Sequence, residues 1–327
     1  MKRIWLILWA TLSARTWLNF KRWRQEATRN LLSGSHLAQT EKGVVEYGRF
    51  GSGPSVLVIH GGPGGYDQGF LLAELAQAGF TVITPSRPGY LRTPLATGQT
   101  FAEQADALAA LLTHLGVTKT AVLGLSAGGP VALQFALRHP ERVEALVLES
   151  AVSQTYVPPD AAWESGIGRL FLNDNTQELL MWLLNRATHR WPGLLFKEYL
   201  KLESTFDKKQ IQVCVRQLLQ QPQQVEKFKL LADSLVPMSL RKVGLRNDIA
   251  QLATIPLYSL EQIAAPTLVI HSPHDQDVPL HHARFVADKV PEAELFLVAA
   301  CGHFLWLGDD AAKVAKKRLA FLRSTLF

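Results

Sequence analysis

Cysteine and charge are both scarce in this sequence. Two cysteines, Cys214 and Cys301, in 327 residues suggest no disulfide framework of the sort that holds small secreted domains together, and they leave the redox compartment open. Charged residues make up 19% of the chain against 47% hydrophobic, which excludes a disordered polyelectrolyte; no fixed-period repeat or low-complexity tract occurs. A long apolar run is missing from the head of the chain, where Ile4 to Ala14 is only eleven residues and a membrane-spanning helix needs roughly 20. What remains is a globular body, long enough for one large domain with an insertion or for two modest ones.

Acidic residues are nearly absent from the head. Residues 1–35 hold Lys2, Arg3, Arg15, Lys21, Arg22, Arg24 and Arg29 against Glu26, seven bases less one acid, which accounts for the whole formal charge of +6. The body is therefore neutral overall and offers no broad basic surface for nucleic acid. Residues 1–30 set that charge among Trp17, Phe20 and Trp23, beside the short apolar stretch. Such a segment suits an uncleaved anchor lying in a membrane interface. Its basic start and apolar centre also suit a cleaved export signal, although the downstream arginines oppose export. A helix belonging to the soluble body is the third reading. The expected location is membrane-associated or exported, with the cytoplasm left open.

From residue 44 to 150 short apolar runs alternate with helical stretches, the pattern of a mostly parallel sheet covered on both faces by helices, an α/β fold. The expected strands are Val44 to Tyr47, Ser55 to Ile59, Thr81 to Thr84, Thr120 to Leu125 and Val143 to Leu148. Helices are expected near Gln68 to Ala78, Phe101 to Leu115 and Gly129 to Arg138. After Ala151 the texture changes to tryptophans and leucines at helical spacing, Trp163, Trp182 and Trp191 among them, with no strand pattern until Pro266. Pro266 to Ser272 and Glu294 to Ala300 restore the strands, and Asp309 to Leu326 reads as a closing amphipathic helix. The division is a head of 1–30, a core of 40–152 plus 263–327, and a helical cap of 153–262.

GLSAG, residues 124–128, stands between the apolar run TAVLGL and the helical run GGPVALQFALRH. A serine squeezed between strand end and helix start takes a strained backbone, and glycines two before and two after remove side chains that would collide in so tight a turn. Pro130 is tolerated because the first helical turn has no acceptor for a missing N–H. The bare five-residue pattern arises by chance in roughly one chain in ten of this length; its strand-turn-helix setting makes it informative. A serine hydroxyl needs a base to take its proton and a carboxylate to hold that base in one tautomer. Asp275, after the penultimate strand, and His303, after the last, complete the chain order Ser126, Asp275, His303. Asp277 competes with Asp275 for the acid.

These residues resemble an α/β-hydrolase of the large group that includes proline iminopeptidases, over residues 40–327 and least through the cap. The resemblance implies an eight-stranded-type, mostly parallel sheet with an inserted helical cap and no cofactor. It also assigns the aspartate, since SPHDQDVP matches G-x-x-D-x-x-x-P at Asp275 and Pro279 with Ser272 replacing glycine. HGGPGG, residues 60–65, follows the strand SVLVIH. An acyl-transfer transition state carries a negative oxygen that fixed N–H donors must meet at about 3 Å, and glycines let the backbone approach. By resemblance the donors are Gly62 and Ala127, the latter also at a helix N-terminus whose dipole favours an anion; His60 braces the loop. PSRPGYLRTP, residues 85–94, resembles the family's P-D-x-x-G-x-G-x-S loop, with Ser86 for aspartate.

Other readings of these residues stay open. Gly61 to Gly65 lacks the spacing and the G-K-[ST] ending of a phosphate loop. His271, His274, Asp275, Asp277, His281 and His282 cluster without recognised metal-ligand spacing, so no metal is expected. His303 as a satisfied surface histidine and Cys301 as a packing residue are the bland readings of those two. A serine nucleophile points to an ester or similar acyl bond of a small, hydrophobic molecule, with Trp163, Phe171, Met181, Trp182 and Phe196 suited to an apolar group or to an ordinary helical core. The alternatives are an N-terminal peptidase like the proline iminopeptidases, weakened because GLSAG replaces their G-G-S-W-G, and a binding protein without activity on the same scaffold. Asp160, Glu164 and Glu178 are acids that a peptidase cap could turn to a substrate ammonium. Oligomeric state is not legible.

Overall fold

The computed structural model describes residues 2–157 and 174–327, with side chains from Arg15 to Val157 and from Gln177 onward. Asp160, Trp163, Glu164 and Phe171 lie outside the described residues.

Eight strands form one sheet: β1 (His36–Thr40), β2 (Gly43–Gly51), β3 (Ser55–Ile59), β4 (Thr81–Pro85), β5 (Thr120–Leu125), β6 (Val143–Glu149), β7 (Thr267–His271) and β8 (Ala293–Leu297), in the order β1-β2-β4-β3-β5-β6-β7-β8. β1 and β2 are an antiparallel hairpin and β2 is antiparallel to β4, whereas β4 through β8 run parallel. The apolar runs become strands because both of their faces are covered. Val56, Leu57, Val58 and Ile59 are all fully buried, alternating between the two core layers as the two-residue period of a strand requires.

The helices are α1 (Lys2–Ser33), α2 (Ala73–Gln77), α3 (Phe101–His114), α4 (Gly129–Arg138), α5 (Asp174–Arg190), α6 (Pro192–Glu203), α7 (Lys208–Gln220), α8 (Pro222–Asp233), α9 (Lys242–Leu252), α10 (His281–Lys289) and α11 (Ala311–Leu326). One core layer joins Leu57, Ile59 and Val122 to Leu108, Val131 and Val286 of α3, α4 and α10. The other joins Val56, Val58 and Leu123 to Leu75 of α2 and Leu322 of α11, and runs on into Phe196, Leu218 and Phe228 of α6, α7 and α8. α5 to α9 fall between β6 and β7, where helical spacing placed an insertion. α3 starts sharply because Thr100 and Glu103 form a reciprocal capping box, satisfying amides that the first turn leaves without acceptors.

Two expectations needed correction. β1 went unread because a strand at the sheet edge has little apolar alternation to display, Ala38 being its one buried residue. The segment expected as a helix from Gln68 begins instead as a 3-10 turn, Tyr66–Leu72, and is α-helical only from Ala73 to Gln77. There Gly69 packs so closely that a Cβ would come within 2.4 Å of Thr84 Oγ1.

The head of the chain is one helix whose later turns lie on the body. Phe20 is 5% exposed and packs edge-on to Trp182 at 5.5 Å between ring centroids, while Trp23 meets the same indole at 6.2 Å. Tyr66 Oη donates to Leu31 O at 2.8 Å. Among the described residues no helix is long and apolar enough to cross a membrane.

β3 sits between β4 and β5, so the chain leaves β3 toward one side and later returns on the other. The crevice outside the carboxyl ends of strands at such a reversal is where open α/β sheets bind ligands. His60 to Gly65 leave the end of β3 and Ser126 leaves the end of β5.

Candidate active site

Ser126 has φ +48, one of three described non-glycine residues with positive φ. A side chain is strained there, and the surrounding glycines show what holds it. A Cβ on Gly124 would lie 2.7 Å from Ala132 Cβ, and one on Gly128 would lie 2.5 Å from Ile59 O and 2.6 Å from His60 O. β5 and α4 therefore pack across the bend only without those side chains, and the hydroxyl is left at the wall of a cavity that it lines together with Gly61, Gly62 and His303.

The glycine loop after β3 is fixed from behind. His60 is fully buried; its Nδ1 lies 2.7 Å from Gly61 O and its Nε2 accepts the Arg87 N–H at 2.9 Å. That pairing sets the tautomer with the proton on Nδ1. Burial, with Arg87 beside it, holds the imidazole well below its ordinary pKa and keeps it neutral. Gln68 Oε1 accepts the Gly61 N–H at 2.7 Å. The Gly62 N–H, by contrast, has no acceptor among the described residues, and Ala127 opens a helical turn whose first amides have none within the helix. A Cβ on Gly61 would stand 3.0 Å from Ser126 Cβ, so loop and serine are in contact.

Arg87, fully buried, donates through Nε to His60 O at 3.0 Å and forms a two-pronged ion pair with Asp248 of α9. Tyr90 Oη donates to the same carboxylate at 2.6 Å. The insertion thus reaches back to the glycine loop. Arg241 does so a second time, donating to Gly64 O at 2.7 Å and pairing with Asp67. Where the related loop carries aspartate, Ser86 donates to Glu46 Oε2 at 2.9 Å, and Glu46 also binds Arg92. The carboxylate missing at position 86 is supplied by the neighbouring strand.

Asp275 follows β7 and His303 follows β8. His303 Nδ1 lies 2.9 Å from Asp275 Oδ2, and Asp275 Oδ1 accepts the Val278 N–H at 2.8 Å. Asp277, the competitor, stands 3.7 Å from His303 Nε2 and accepts from Tyr156 Oη at 2.6 Å. Burial alone would lower the His303 pKa, but Asp275 above all, with Asp277 and Glu203, outweighs it and raises the value to about 10. The Ser126 hydroxyl makes no hydrogen bond among the described residues; serine and imidazole share one cavity with Nε2 turned toward Asp277.

Two of the remaining histidines of the cluster have separate partners. His271 Nε2 lies 2.8 Å from Val278 O, and His282 Nδ1 accepts the Ser153 N–H at 3.2 Å. No group of three or more His, Cys, Asp or Glu among the described residues is arranged to hold a metal.

The cavity measures about 340 Å³ and is walled mainly by the insertion: Met181, Leu184, Tyr199, Phe228, Leu231, Met238 and Leu245. Trp182 points away from it, into the contact with α1. Glu178 is buried and accepts the Ser239 N–H at 2.5 Å. One wall residue was not legible in the sequence. Glu203, at the end of α6, has a side chain without a hydrogen bond or ion pair among the described residues, and desolvation, then Asp277, push its carboxyl up to about 8.

Residues 54–310 match the family model for the alpha/beta hydrolase fold, and the chain belongs to that family. It is 32% identical over 285 residues to the uncharacterized hydrolase YcgS of Bacillus subtilis, covering 86% of this chain and 96% of that one. It is 27% identical over 271 residues to a 2-hydroxy-6-oxo-6-phenylhexa-2,4-dienoate hydrolase of Burkholderia cepacia, covering 80% and 85%. Among solved structures, an alpha/beta hydrolase fold protein from Nakamurella multipartita superposes with a TM-score of 0.80 at 33% identity, covering 89% of this chain and 99% of that one. The chain is a hydrolase of this fold.

Proposed function

We propose that the protein is a serine hydrolase that cleaves an ester or similar acyl bond of a small, apolar substrate. Ser126 is the nucleophile, His303 its base and Asp275 the residue that orients the base. The observation that carries this reading is the strained serine at φ +48 on the wall of the cavity that also presents His303, whose far nitrogen is held by Asp275. His303 takes the hydroxyl proton as oxygen attacks the acyl carbon; the Gly62 and Ala127 amides receive the oxyanion; the returned proton expels the alcohol, and water then repeats the sequence on the acyl-enzyme. The core is 40–152 plus 263–327, and 153–262 forms the cap whose side chains bind the apolar group.

Labelling with a fluorophosphonate tests the nucleophile: adduct on Ser126 and none in Ser126→Ala. An unlabelled wild-type protein means a binding protein without this chemistry. Glu203 favours a second reading, an N-terminal peptidase, because a carboxyl without a partner in an apolar wall suits an ammonium. Turnover of p-nitrophenyl acyl esters against proline β-naphthylamide separates the two, and preference for the amide reverses the ranking.

Residues 1–30 associate with an anionic membrane surface in this reading. Trp17 and Leu18 are 49% and 60% exposed beside Lys21, Arg22 and Arg24, and each base near such a surface is worth about 1 kcal/mol. Sedimentation with phosphatidylglycerol vesicles, lost in high salt, is the expected result; equal recovery with neutral vesicles is not.

A further inference from the structure

The chain leaving β6 is bonded to both the serine bend and the histidine turn. Ser150 Oγ donates to the His303 carbonyl at 3.1 Å, and two residues later the Val152 N–H donates to the Ser126 carbonyl at 3.0 Å. Three consecutive residues thus join the end of β5 to the turn after β8, with β6 lying beside β5 and β7 between β6 and β8. The segment is itself fastened. The Ser150 N–H donates to Ile270 O of β7 at 3.1 Å, and Glu149 accepts the Trp306 Nε1 proton at 2.6 Å.

Ser150 is fully buried and has φ +45. A β-carbon is disfavoured in that region, and such a conformation persists only where its surroundings fix it. The surroundings here are close: a Cβ on Gly129 would lie 2.3 Å from Val152 O and 2.8 Å from Ala151 Cβ, so the chain after Ser150 runs hard against the start of α4. The His303 N–H is held by the cap instead. Glu203 O accepts it at 3.1 Å and also accepts the Gln276 N–H at 3.3 Å, while the Thr205 N–H donates to His274 O at 3.0 Å. The end of α6 therefore ties the base turn to the loop of Asp275, and Ser150 with Val152 ties it to the bend of Ser126.

We propose that Ser150 is a positioning residue for acyl transfer: its hydroxyl holds the His303 turn at a fixed separation from Ser126. The inference rests on the reading of Ser126 as nucleophile and His303 as base. Ser150 acts through the His303 main chain, and a misplacement of about 1 Å at a reacting pair costs about 10²-fold in rate. Its removal leaves the fold supported, because the Leu305 N–H also donates to His303 O at 3.1 Å. Ser150 is not part of the cavity wall, so substrate affinity should not depend on it.

The test compares Ser150→Ala, which keeps the strained β-carbon, with Ser150→Gly, which removes it, in the full-length protein. The measurements are kcat and KM on p-nitrophenyl butyrate, the rate of fluorophosphonate labelling, and melting temperature. Both variants should lose about tenfold to hundredfold in kcat at unchanged KM, and label more slowly to the same degree. Ser150→Gly should melt at or above Ser150→Ala, since glycine accepts positive φ, yet be no more active. Wild-type kcat and labelling in either variant would overturn the proposal and leave Ser126 as nucleophile. Activity restored by glycine but not by alanine would overturn it too, by tracing the effect to backbone strain, as would a KM that rises in step with the loss of kcat. Wild-type protein that is not labelled at all would remove the hydrolase reading and this role together.

Discussion

Asp275 Oδ2 lies 2.9 Å from His303 Nδ1, while Asp277 Oδ2 stands 3.7 Å from the opposite nitrogen of the same ring. One imidazole is thus flanked by two carboxylates two positions apart in sequence, only one of which can hold the tautomer that leaves Nε2 free to accept a proton. If Asp275 is the orienting residue, Asp275→Asn should lower kcat on a p-nitrophenyl ester by about 10⁴-fold. Asp277→Asn should retain most of the activity. The reverse ranking would exchange their roles.

The same two carboxylates set the pH at which the base is usable. Burial opposes the charged ring, but Asp275, Asp277 and Glu203 together lift its pKa from 6.5 to about 10. Below pH 6.5 the ring is protonated whether the chain is folded or not, so its attraction to Asp275 contributes fully to stability; that contribution fades as pH climbs from 6.5 through about 10. Activity has the opposite dependence, because only the neutral ring accepts the serine proton. The acidic limb of kcat/KM should therefore sit on the alkaline side of 6.5, and Asp277→Asn should move it to lower pH. An unmoved limb would show that Asp277 does not act on the ring.

What the sequence disclosed and what it hid divide along a physical line. The strand β5, the bend at Ser126 and the start of α4 were legible because glycine spacing and apolar runs are local codes, and local sterics enforce them. The edge strand β1 was not, since an exposed strand carries no strong pattern. Arg87 and Asp248 are 161 positions apart and pair only after the insertion folds back, so no spacing announces them. Glu203 looked like any acid at a helix end. Cys214 and Cys301 read as residents of separate segments, although one apolar cluster holds both.

The Arg87–Asp248 pair makes a sharp stability test. Both side chains are out of water, and removing one partner of a buried pair leaves the other charge stranded, at a cost of about 3–5 kcal/mol. Asp248→Ala should show that loss in urea denaturation. Arg87 also holds His60 O, so the variant should lose kcat beyond the fraction that is unfolded, through a displaced glycine loop. Asp248→Asn, which keeps acceptor oxygen but not charge, should fall between. A loss under 1 kcal/mol in the alanine variant would mean that the pair is readily hydrated.

Glu203 offers a test in which the sign is unambiguous. Desolvation, then Asp277, raise its carboxyl from 4.5 to about 8, so between those values the folded chain retains a proton that the unfolded chain has released. Wherever the folded state binds more protons, stability falls as pH rises; Glu203 therefore costs nothing below pH 4.5, costs progressively more up to about 8, and its full penalty persists above. Glu203→Gln keeps the shape and removes the titration. The variant should melt with wild type at pH 4 and above it at pH 9, the gap opening across that window and narrowed by the share of the His303 shift that the Glu203 carboxylate supplies. A gap of equal size at both ends would mean that the substitution acts through packing, and a gap that opens with wild type the more stable would mean that the ionised carboxylate has a compensating donor, which would remove the reason for placing a substrate ammonium beside it.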